Sequence, residues 1–325
     1  MKKPRISTFI GLAVCAFVCA ASAPSRAQIF ETHFTANFHG GSVGKYTTSG
    51  ATVNRNLVSG LLQPDGIAVS GDKLFVVDVS AGTIGEYTTS GAVVRRTLIS
   101  GLHVPVGIAV SGEFLYVTEL FGGIGGIGTV GKYTISGETV NAALISGLNV
   151  PQNLTISGDH LFVASSGEAL ESNGTIGEYT TSGDPVNRTL ISGLDYPLDI
   201  AISENNLFVA NLYGDTISQY TTSGALVNSS LIPGLDNPSA IAISEGNLFV
   251  GTFGAGLGTG RIGEYTLSGL PIHPALITRL VGPHDIEVVS GAKPPPVPEG
   301  SSSWLMLLLA LSSTAALTPL LRRPA

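Results

Sequence analysis

Short apolar stretches with alternating large and small side chains recur along the chain and are separated by glycine-rich turns. One unit shows the whole pattern, with apolar or alternating stretches at residues 153–157, 161–164, 175–180 and 186–192. Their lengths and their content of β-branched residues predict β-strands, and the repeats show no helical periodicity. The pattern therefore predicts an all-β fold built from a four-stranded unit.

This unit occurs six times, with a spacing of 41 to 46 residues between copies. Its most regular part is Gly-x-Tyr-Thr-x-Ser-Gly, in which the fifth copy has Ser218 in place of the first glycine. The tyrosines of the six copies are Tyr46, Tyr87, Tyr133, Tyr179, Tyr220 and Tyr265. A period of this length with four strands per copy is typical of the blades of a β-propeller.

The two ends of the repeat region carry complementary parts of one unit. Residues 33–38 align with a second strand such as residues 207–212, and residues 286–290 align with a first strand that no second strand follows. One blade formed from both ends closes a ring of six blades over residues 28–291. An open solenoid is the alternative architecture, and the complementary ends disfavour it.

Several repeats share a further phrase on their first and second strands. Residues 64–69 read Pro-Asp-Gly-Ile-Ala-Val, residues 74–78 read Leu-Phe-Val-Val-Asp, and residues 105–110 repeat the first phrase with one change. This order resembles the NHL repeats of six-bladed propellers over about residues 30–291, although Gly-Glu-Tyr or Gly-Lys-Tyr replaces their common arginine-containing phrase. The resemblance implies a fold and leaves the activity open, because propellers host many unrelated functions.

Residues 1–27 are predicted to be a secretory signal peptide. A basic start precedes an apolar stretch at residues 9–21, and residues 25–27 form a small-x-small cleavage site. The two cysteines of the sequence, Cys15 and Cys19, lie in this segment. We therefore expect an exported domain without a disulfide.

The composition changes after residue 291. Residues 292–303 form a proline-rich spacer, and residues 304–325 contain 18 largely apolar residues followed by Arg322 and Arg323. This arrangement predicts a C-terminal transmembrane helix with a cytoplasmic end.

A short motif precedes the apolar segment. Val297, Pro298 and Glu299, followed by that segment and the arginines, resemble the PEP-CTERM sorting signal, with Gly300 where the motif commonly has proline. The resemblance implies an exosortase-type processing enzyme as a partner. It also implies an exported protein of a Gram-negative cell envelope or surface that is transiently anchored in the inner membrane. A plain C-terminal anchor is the alternative.

Charge and motif content exclude several classes of function. The net charge is −7, and residues 28–321 contain ten Lys and Arg against 23 Asp and Glu. An acidic surface argues against nucleic acid as a partner. The repeats contain no nucleophile elbow, no zinc-protease motif and no phosphate-binding loop before a helix. No catalytic residue is therefore assigned.

Candidate ligand-binding positions are those at which the repeats differ. Two residues after the linker proline, the six copies hold Gly66, Gly107, Asn153, Asp199, Ala240 and Asp285. These positions open the innermost strand and are expected to converge on the central channel. The resemblance to six-bladed lactonases, some of which hold a channel metal, makes Asn153, Asp199 and Asp285 candidate Ca²⁺ ligands. Turn residues that satisfy backbone groups are the alternative.

A second polar set follows the second strands and comprises Asn37, Asp78, Glu119, Ser165, Asn211 and Thr252. Beyond it, three loops are longer than their equivalents, at residues 120–129, 165–175 and 253–261. They are expected on one face of the ring, where propellers usually bind ligands. Their candidate binding residues are Phe121, Glu168, Glu171 and Phe253. Tolerated variation in loop length is the alternative.

The expected function is a non-enzymatic binding or matrix-interaction module without a required cofactor. Its expected partner is exopolysaccharide or another surface protein. A metal-dependent hydrolase of lactonase type is the alternative, and a spacer without a ligand is a third. Replacing Asp199 and Asp285 by Ala would abolish the activity of a hydrolase, whereas a binding module would lose affinity mainly through changes in its long loops.

Overall fold

The computed structural model describes residues 27–34, 40–123, 127–167 and 172–290. These residues form strands and turns and no helix, so no described helix is long and apolar enough to cross a membrane. The described residues belong to one compact unit. The predicted signal peptide, proline-rich spacer, sorting motif and C-terminal helix lie outside the described residues.

The strands form six antiparallel sheets of four strands each. Blade 1 contains β1 (Gln28–Phe34), β2 (Gly41–Thr47), β3 (Thr52–Leu61) and β24 (Ile286–Val289), and blade 2 contains β4 (Pro64–Ser70), β5 (Lys73–Asp78), β6 (Thr83–Thr88) and β7 (Val93–Ser100). Blade 3 contains β8 (Pro105–Ser111), β9 (Phe114–Glu119), β10 (Gly128–Thr134) and β11 (Thr139–Leu148), and blade 4 contains β12 (Pro151–Ser157), β13 (His160–Ser165), β14 (Gly174–Thr180) and β15 (Pro185–Leu194). Blade 5 contains β16 (Pro197–Ser203), β17 (Asn206–Asn211), β18 (Thr216–Thr221) and β19 (Leu226–Ile232), and blade 6 contains β20 (Pro238–Ser244), β21 (Asn247–Thr252), β22 (Gly260–Thr266) and β23 (Pro271–Leu280).

The predicted six-bladed propeller of four-stranded blades is confirmed, and both chain ends build blade 1. The C-terminal strand β24 pairs with β1, with Phe30 opposite Glu287. The predicted register of the N-terminal strand was wrong by four residues. Ile29 lies opposite Tyr46, as Leu207 lies opposite Tyr220 in blade 5.

The register of β1 is set by which of its side chains are buried. Ile29 and Phe30 are 0% and 1% exposed and supply the apolar pair of this strand, whereas the sequence interpretation gave that place to residues 33 and 34. His33, and not Asn37, is therefore the counterpart of Asn211. Asn37 lies outside the described residues.

Core clusters lie between neighbouring blades. One cluster joins Phe249 and Ile262 of blade 6 to Ile29 and Tyr46 of blade 1, and equivalent clusters occupy the other interfaces. A four-stranded sheet with two apolar faces would expose both faces to water if it stood alone. Stacking in a closed ring buries both faces of every blade.

The glycine of the Gly-x-Tyr phrase makes room for the tyrosine ring. A Cβ atom on Gly85 would lie 2.7 Å from the Tyr87 ring, and the same close approach occurs at Gly44, Gly131, Gly177 and Gly263. Blade 5 has Ser218 at this position, and its Tyr220 is only half-buried. The exception supports the steric explanation.

The linker into each blade is tied to the loop that follows the second strand. The residue before the linker proline is left-handed in blades 3 to 6, at Val104, Val150, Tyr196 and Asn237, with φ of 54° to 57°. Its carbonyl accepts a backbone hydrogen bond from the residue after the second strand, as from Leu212 to Tyr196 at 3.0 Å. Linkers and second-strand loops therefore lie together on one side of the ring, which we call the loop face.

Candidate functional site

The first strands of all six blades surround a central channel that contains a cavity of about 260 Å³. Asn153, Asp199 and Asp285 all line this cavity. The structure therefore brings the three candidate metal ligands together, because they occupy the same position of the repeat in different blades.

Asp199 bonds to backbone groups of two blades. Its Oδ1 accepts a 2.8 Å hydrogen bond from the amide of Ile200, and its Oδ2 accepts a 2.7 Å bond from the amide of Ile241 in the next blade. The carboxylate thus joins blade 5 to blade 6 at the channel wall. Hydrogen bonds from backbone amides to a carboxylate are charge-assisted and strong.

Asp285 repeats this arrangement between blades 1 and 2. Its Oδ1 accepts from the amide of Ile286 at 2.8 Å, and its Oδ2 accepts from the amide of Ile67 at 2.9 Å. The Oδ1 of Asn153 accepts a hydrogen bond from the amide of Leu154, at 2.9 Å. Both aspartates therefore accept hydrogen bonds from backbone amides, as the alternative interpretation of these positions as turn residues expects.

Burial shifts the pKa values of the two channel aspartates. Burial raises the pKa of Asp199 to about 7, against the opposing effect of its two amide bonds and a side-chain bond from Asn153. Burial, followed by the charge of Asp199, also raises the pKa of Asp285. The residues that line the channel cavity include no Lys, Arg or His.

Glu287 is a third channel carboxylate, which the sequence interpretation missed. Burial and the charge of Asp199 raise its pKa to about 7. The other blades have small residues at this position, namely Ala68, Ala109, Thr155, Ala201 and Ala242. The signal was present in the repeats, since Glu287 interrupts an otherwise apolar first strand.

The channel oxygens are of the chemical type that Ca²⁺ prefers. Each carboxylate oxygen of Asp199 and Asp285 already accepts one amide hydrogen bond. No group of three or more His, Cys, Asp or Glu side chains in the described parts of the chain is arranged to hold a metal ion. The Ca²⁺ site built from Asn153, Asp199 and Asp285 stays a prediction.

The second polar set holds loops in place. Both carboxylate oxygens of Asp78 accept hydrogen bonds from the linker amides of Leu62 and Gln63, at 2.8 and 3.0 Å. Glu119 accepts the amide of His103 at 2.6 Å. Neither acid lines the channel cavity. Both side chains instead hold linker backbone in place on the loop face by accepting its amide hydrogen bonds.

A separate cavity of about 240 Å³ opens on the loop face. We call it the mouth pocket and define it by Asp65, Asn153, Tyr196, Tyr213, Phe253 and His284. Asn153 also lines the channel cavity, so the two cavities meet at this residue. The mouth pocket collects side chains from linkers and second-strand loops of several blades.

Two aromatic pairs contribute to the walls of the mouth pocket. The ring centroids of Tyr196 and Tyr213 are 4.7 Å apart with a 40° tilt, and those of Phe253 and His284 are 4.8 Å apart with a 50° tilt. The left-handed linker conformation fixes Tyr196, and Tyr213 remains 45% exposed. A concave site with aromatic walls and a few polar groups is the usual form of a small-ligand pocket.

The predicted loop residues are distributed over different places. Phe253 lines the mouth pocket, whereas Phe121 lines a different apolar cavity on blade 3 with Ile127 and Leu148. Glu168 and Glu171 lie outside the described residues, as do Val297, Pro298, Glu299, Arg322 and Arg323. Tyr196, Tyr213 and Asp65 were not among the residues predicted from the sequence.

Blade 1 also contains a polar network that the sequence did not reveal. His33 Nδ1 lies 2.8 Å from Glu31 Oε2, and His33 Nε2 lies 2.8 Å from the hydroxyl of Ser42. Burial lowers the pKa of His33, but the hydrogen bond and the charge of Glu31 outweigh it and leave that pKa raised. Ser42 is 5% exposed and donates to Asn56. Its hydroxyl is therefore already engaged, and we interpret the network as structural.

No family model and no curated protein matches the chain. Among solved structures, it is similar to a chain of the nidogen/laminin complex, with 15% identity, a TM-score of 0.64, and coverage of 82% of this chain and 100% of that one. It is also similar to a gluconolactonase from Xanthomonas campestris, with 15% identity, a TM-score of 0.58, and coverage of 82% and 93%. Virginiamycin B lyase from Staphylococcus aureus has 19% identity and a TM-score of 0.54, with coverage of 82% and 85%.

These similarities show the fold alone. The neighbours include a protein of a binding complex and two proteins named as enzymes. The fold therefore favours neither a binding function nor an enzymatic one, and the functional argument depends on the residues of this chain.

Proposed function

We propose that this chain is an exported, surface-sorted propeller that binds a carbohydrate in the mouth pocket and catalyses no reaction. The observation that carries the proposal is the pair of aromatic walls over polar groups in one cavity. The C–H faces of a sugar ring pack on aromatic rings, while its hydroxyl groups exchange hydrogen bonds with carboxylate, amide and imidazole groups. Asp65, Asn153 and His284 supply such groups.

The two ends of the sequence support the proposed location. The signal-peptide features at residues 1–27 and the sorting-like motif at residues 297–299 together favour export to the cell surface and processing by an exosortase-type enzyme. Extracellular polysaccharide is a ligand that such a location makes available. Mass measurement of the mature protein would test both cleavages.

The binding proposal is tested by titrating residues 28–290 with a panel of neutral and charged oligosaccharides. Tyr213→Ala and Phe253→Ala should each weaken binding about tenfold or more, because each removes an aromatic wall. Phe121→Ala is the matched control, since Phe121 is an aromatic residue of the loop face that is 54% exposed and lies outside the mouth pocket. Equal effects of all three changes, or no binding by the unaltered domain, would contradict the proposal.

A metal-dependent lactonase is the second candidate. The observation that favours it is the set of channel carboxylates directly beyond Asn153, which borders both cavities. Asn153, Asp199 and Asp285 would hold a Ca²⁺ ion, which would supply a Lewis acid to a lactone carbonyl.

Calcium binding can be measured without an activity assay. Thermal unfolding with EDTA and then with millimolar Ca²⁺ should show a stabilisation of about 2.7 kcal/mol at a hundredfold excess over the dissociation constant. Asp199→Ala should abolish this shift and any lactone hydrolysis. An unfolding temperature that neither EDTA nor Ca²⁺ changes would remove the support for this candidate.

A further inference from the structure

We propose that the mouth pocket selects a ligand that carries a protonated amine, so that its carbohydrate is an amino sugar with a free amino group. This inference rests on the proposed function and specifies its ligand. It is carried by the position of Asp65 in the mouth pocket, by the absence of Lys and Arg from the lining of both cavities, and by the aromatic walls of the pocket.

Among the Asp, Glu, Lys, Arg and His side chains that line the two cavities, four are acidic and one is basic. Asp65 lines the mouth pocket, and Asp199, Asp285 and Glu287 line the channel cavity that meets it at Asn153. No Lys or Arg lines either cavity. The one basic group is His284, whose Nδ1 lies 3.6 Å from Oδ1 of Asp65.

The concave shape of the mouth pocket strengthens the negative potential at its opening. The carboxylate of Asp65 lies in a concave site with low-dielectric walls, which focus its negative potential into the opening. A neutral ligand gains nothing from this potential.

The aromatic walls suit the same kind of ligand. An ammonium group over the face of a tyrosine or phenylalanine ring is attracted by the quadrupole of the ring. Tyr213 leaves 45% of its surface exposed, and Phe253 packs against His284 on the other aromatic wall. A sugar with a free amine could therefore pack its C–H face on Tyr213 and direct its ammonium group towards Phe253 and Asp65, which both lie beside His284.

The exposure of Asp65 permits direct contact. Its side chain is 22% exposed, and its distance of 3.6 Å from His284 is longer than a hydrogen bond. A ligand ammonium at hydrogen-bond distance would make a shorter contact with Asp65 than His284 does. Asp65 thus becomes the residue expected to discriminate between amino sugars and their acetylated forms.

The test compares two ligands that differ in acetylation alone. Residues 28–290 are titrated at about pH 6.5 with a glucosamine oligomer and with the N-acetylglucosamine oligomer of equal length, where the first carries free ammonium groups. We expect the glucosamine oligomer to bind about tenfold more tightly or better. Asp65→Asn should bring the two affinities close together without weakening the acetylated oligomer. Tyr213→Ala should weaken both.

A control variant separates the pocket from the general acidity of the surface. Asp159→Asn also removes one carboxylate, from a side chain that is 86% exposed on a turn outside the mouth pocket, and should preserve the preference. Discrimination that survives in Asp65→Asn would overturn the inference, because it would locate the effect in the diffuse surface charge.

The outcomes for the two proposals are distinct. If both oligomers bind equally to the unaltered domain and Tyr213→Ala weakens both, the amine inference fails and the carbohydrate proposal stands. If neither these nor other oligosaccharides bind, both proposals fail.

Discussion

The backbone amide of Ile67 donates a 2.9 Å hydrogen bond to Oδ2 of Asp285, which lies 218 positions away in the sequence. This bond crosses the interface between blade 1, which both chain ends build, and blade 2. The amide of Ile241 makes the same contact with Asp199 between blades 5 and 6. Buried carboxylates thus act as connectors at two of the blade interfaces, and their ionisation is coupled to the stability of the ring.

Stability should therefore fall as the pH rises. The folded pKa of Asp199 is about 7, above the ordinary value of 3.8, so the folded state binds this proton more tightly. Its contribution to stability is fully present below about pH 4 and is lost as the pH rises through about 7. Thermal unfolding of residues 28–290 across this range should show a decreasing midpoint.

The variant Asp199→Asn checks the origin of this slope. It removes the titrating group, so the pH dependence should become weaker, although the midpoint should fall at low pH because an amide nitrogen faces a backbone donor. The raised pKa of His33 acts in the same direction as that of Asp199. A midpoint that rises between pH 5 and 7 would contradict the assignment of buried, raised carboxyl groups.

Replacing Glu287 by Ala should stabilise the domain at neutral and higher pH. Four other blades have Ala at this position, at Ala68, Ala109, Ala201 and Ala242. The change removes a carboxyl group whose ionisation near pH 7 is opposed by burial and by Asp199. Denaturant unfolding at pH 8 and pH 5 should give a larger gain at pH 8. A loss of stability at pH 8 would indicate a favourable contact of Glu287 that the structure does not show.

Gly85→Ala should destabilise the domain by about 1–3 kcal/mol through overpacking. Its new Cβ would meet the Tyr87 ring at 2.7 Å, and the buried ring has little room to move. Gly256→Ala is the control, because no atom lies within 4 Å of the Cβ it would add. Urea unfolding of both variants measures the difference, and equal stabilities would refute the steric role of the glycine.

Val104→Asn should stabilise the domain by about 1 kcal/mol, because a β-branched residue tolerates the left-handed region poorly and asparagine tolerates it well. Val104 has a φ of 54°, and blade 6 uses Asn237 at the same place with a φ of 56°. The midpoint of thermal unfolding measures the change. A reduced midpoint would mean that packing by the valine side chain outweighs its backbone strain.

Much of the fold could be predicted because the same pattern of strands and turns occurs in six copies. Each copy carries four strands with the same turn glycines, so a single misread copy does not change the architecture. The register of β1 could not be predicted in this way. His33 and Phe34 resemble the usual Leu-Phe pair in position and partly in character, and only packing shows that Ile29 and Phe30 are the buried residues.

The candidate site was predictable where it follows the repeat. Asp199 and Asp285 occupy one repeat position, so their convergence on the channel follows from the ring. Tyr196 and Tyr213 come from a linker and a loop of different repeat positions, and a backbone bond to a left-handed carbonyl brings these segments together. Such a contact leaves no periodic signal. Loop length pointed to Phe121, which lines a different cavity.

The four residues of β24 also have a protective role. They cover the inner edge of β1 along Gln28–Glu31, where backbone donors and acceptors would otherwise be unpaired. An uncovered edge of this kind is a template for a strand from another molecule. A chain cut before Ile286 would therefore be expected to exchange strands or aggregate, so the last strand of the domain also limits its association with other chains.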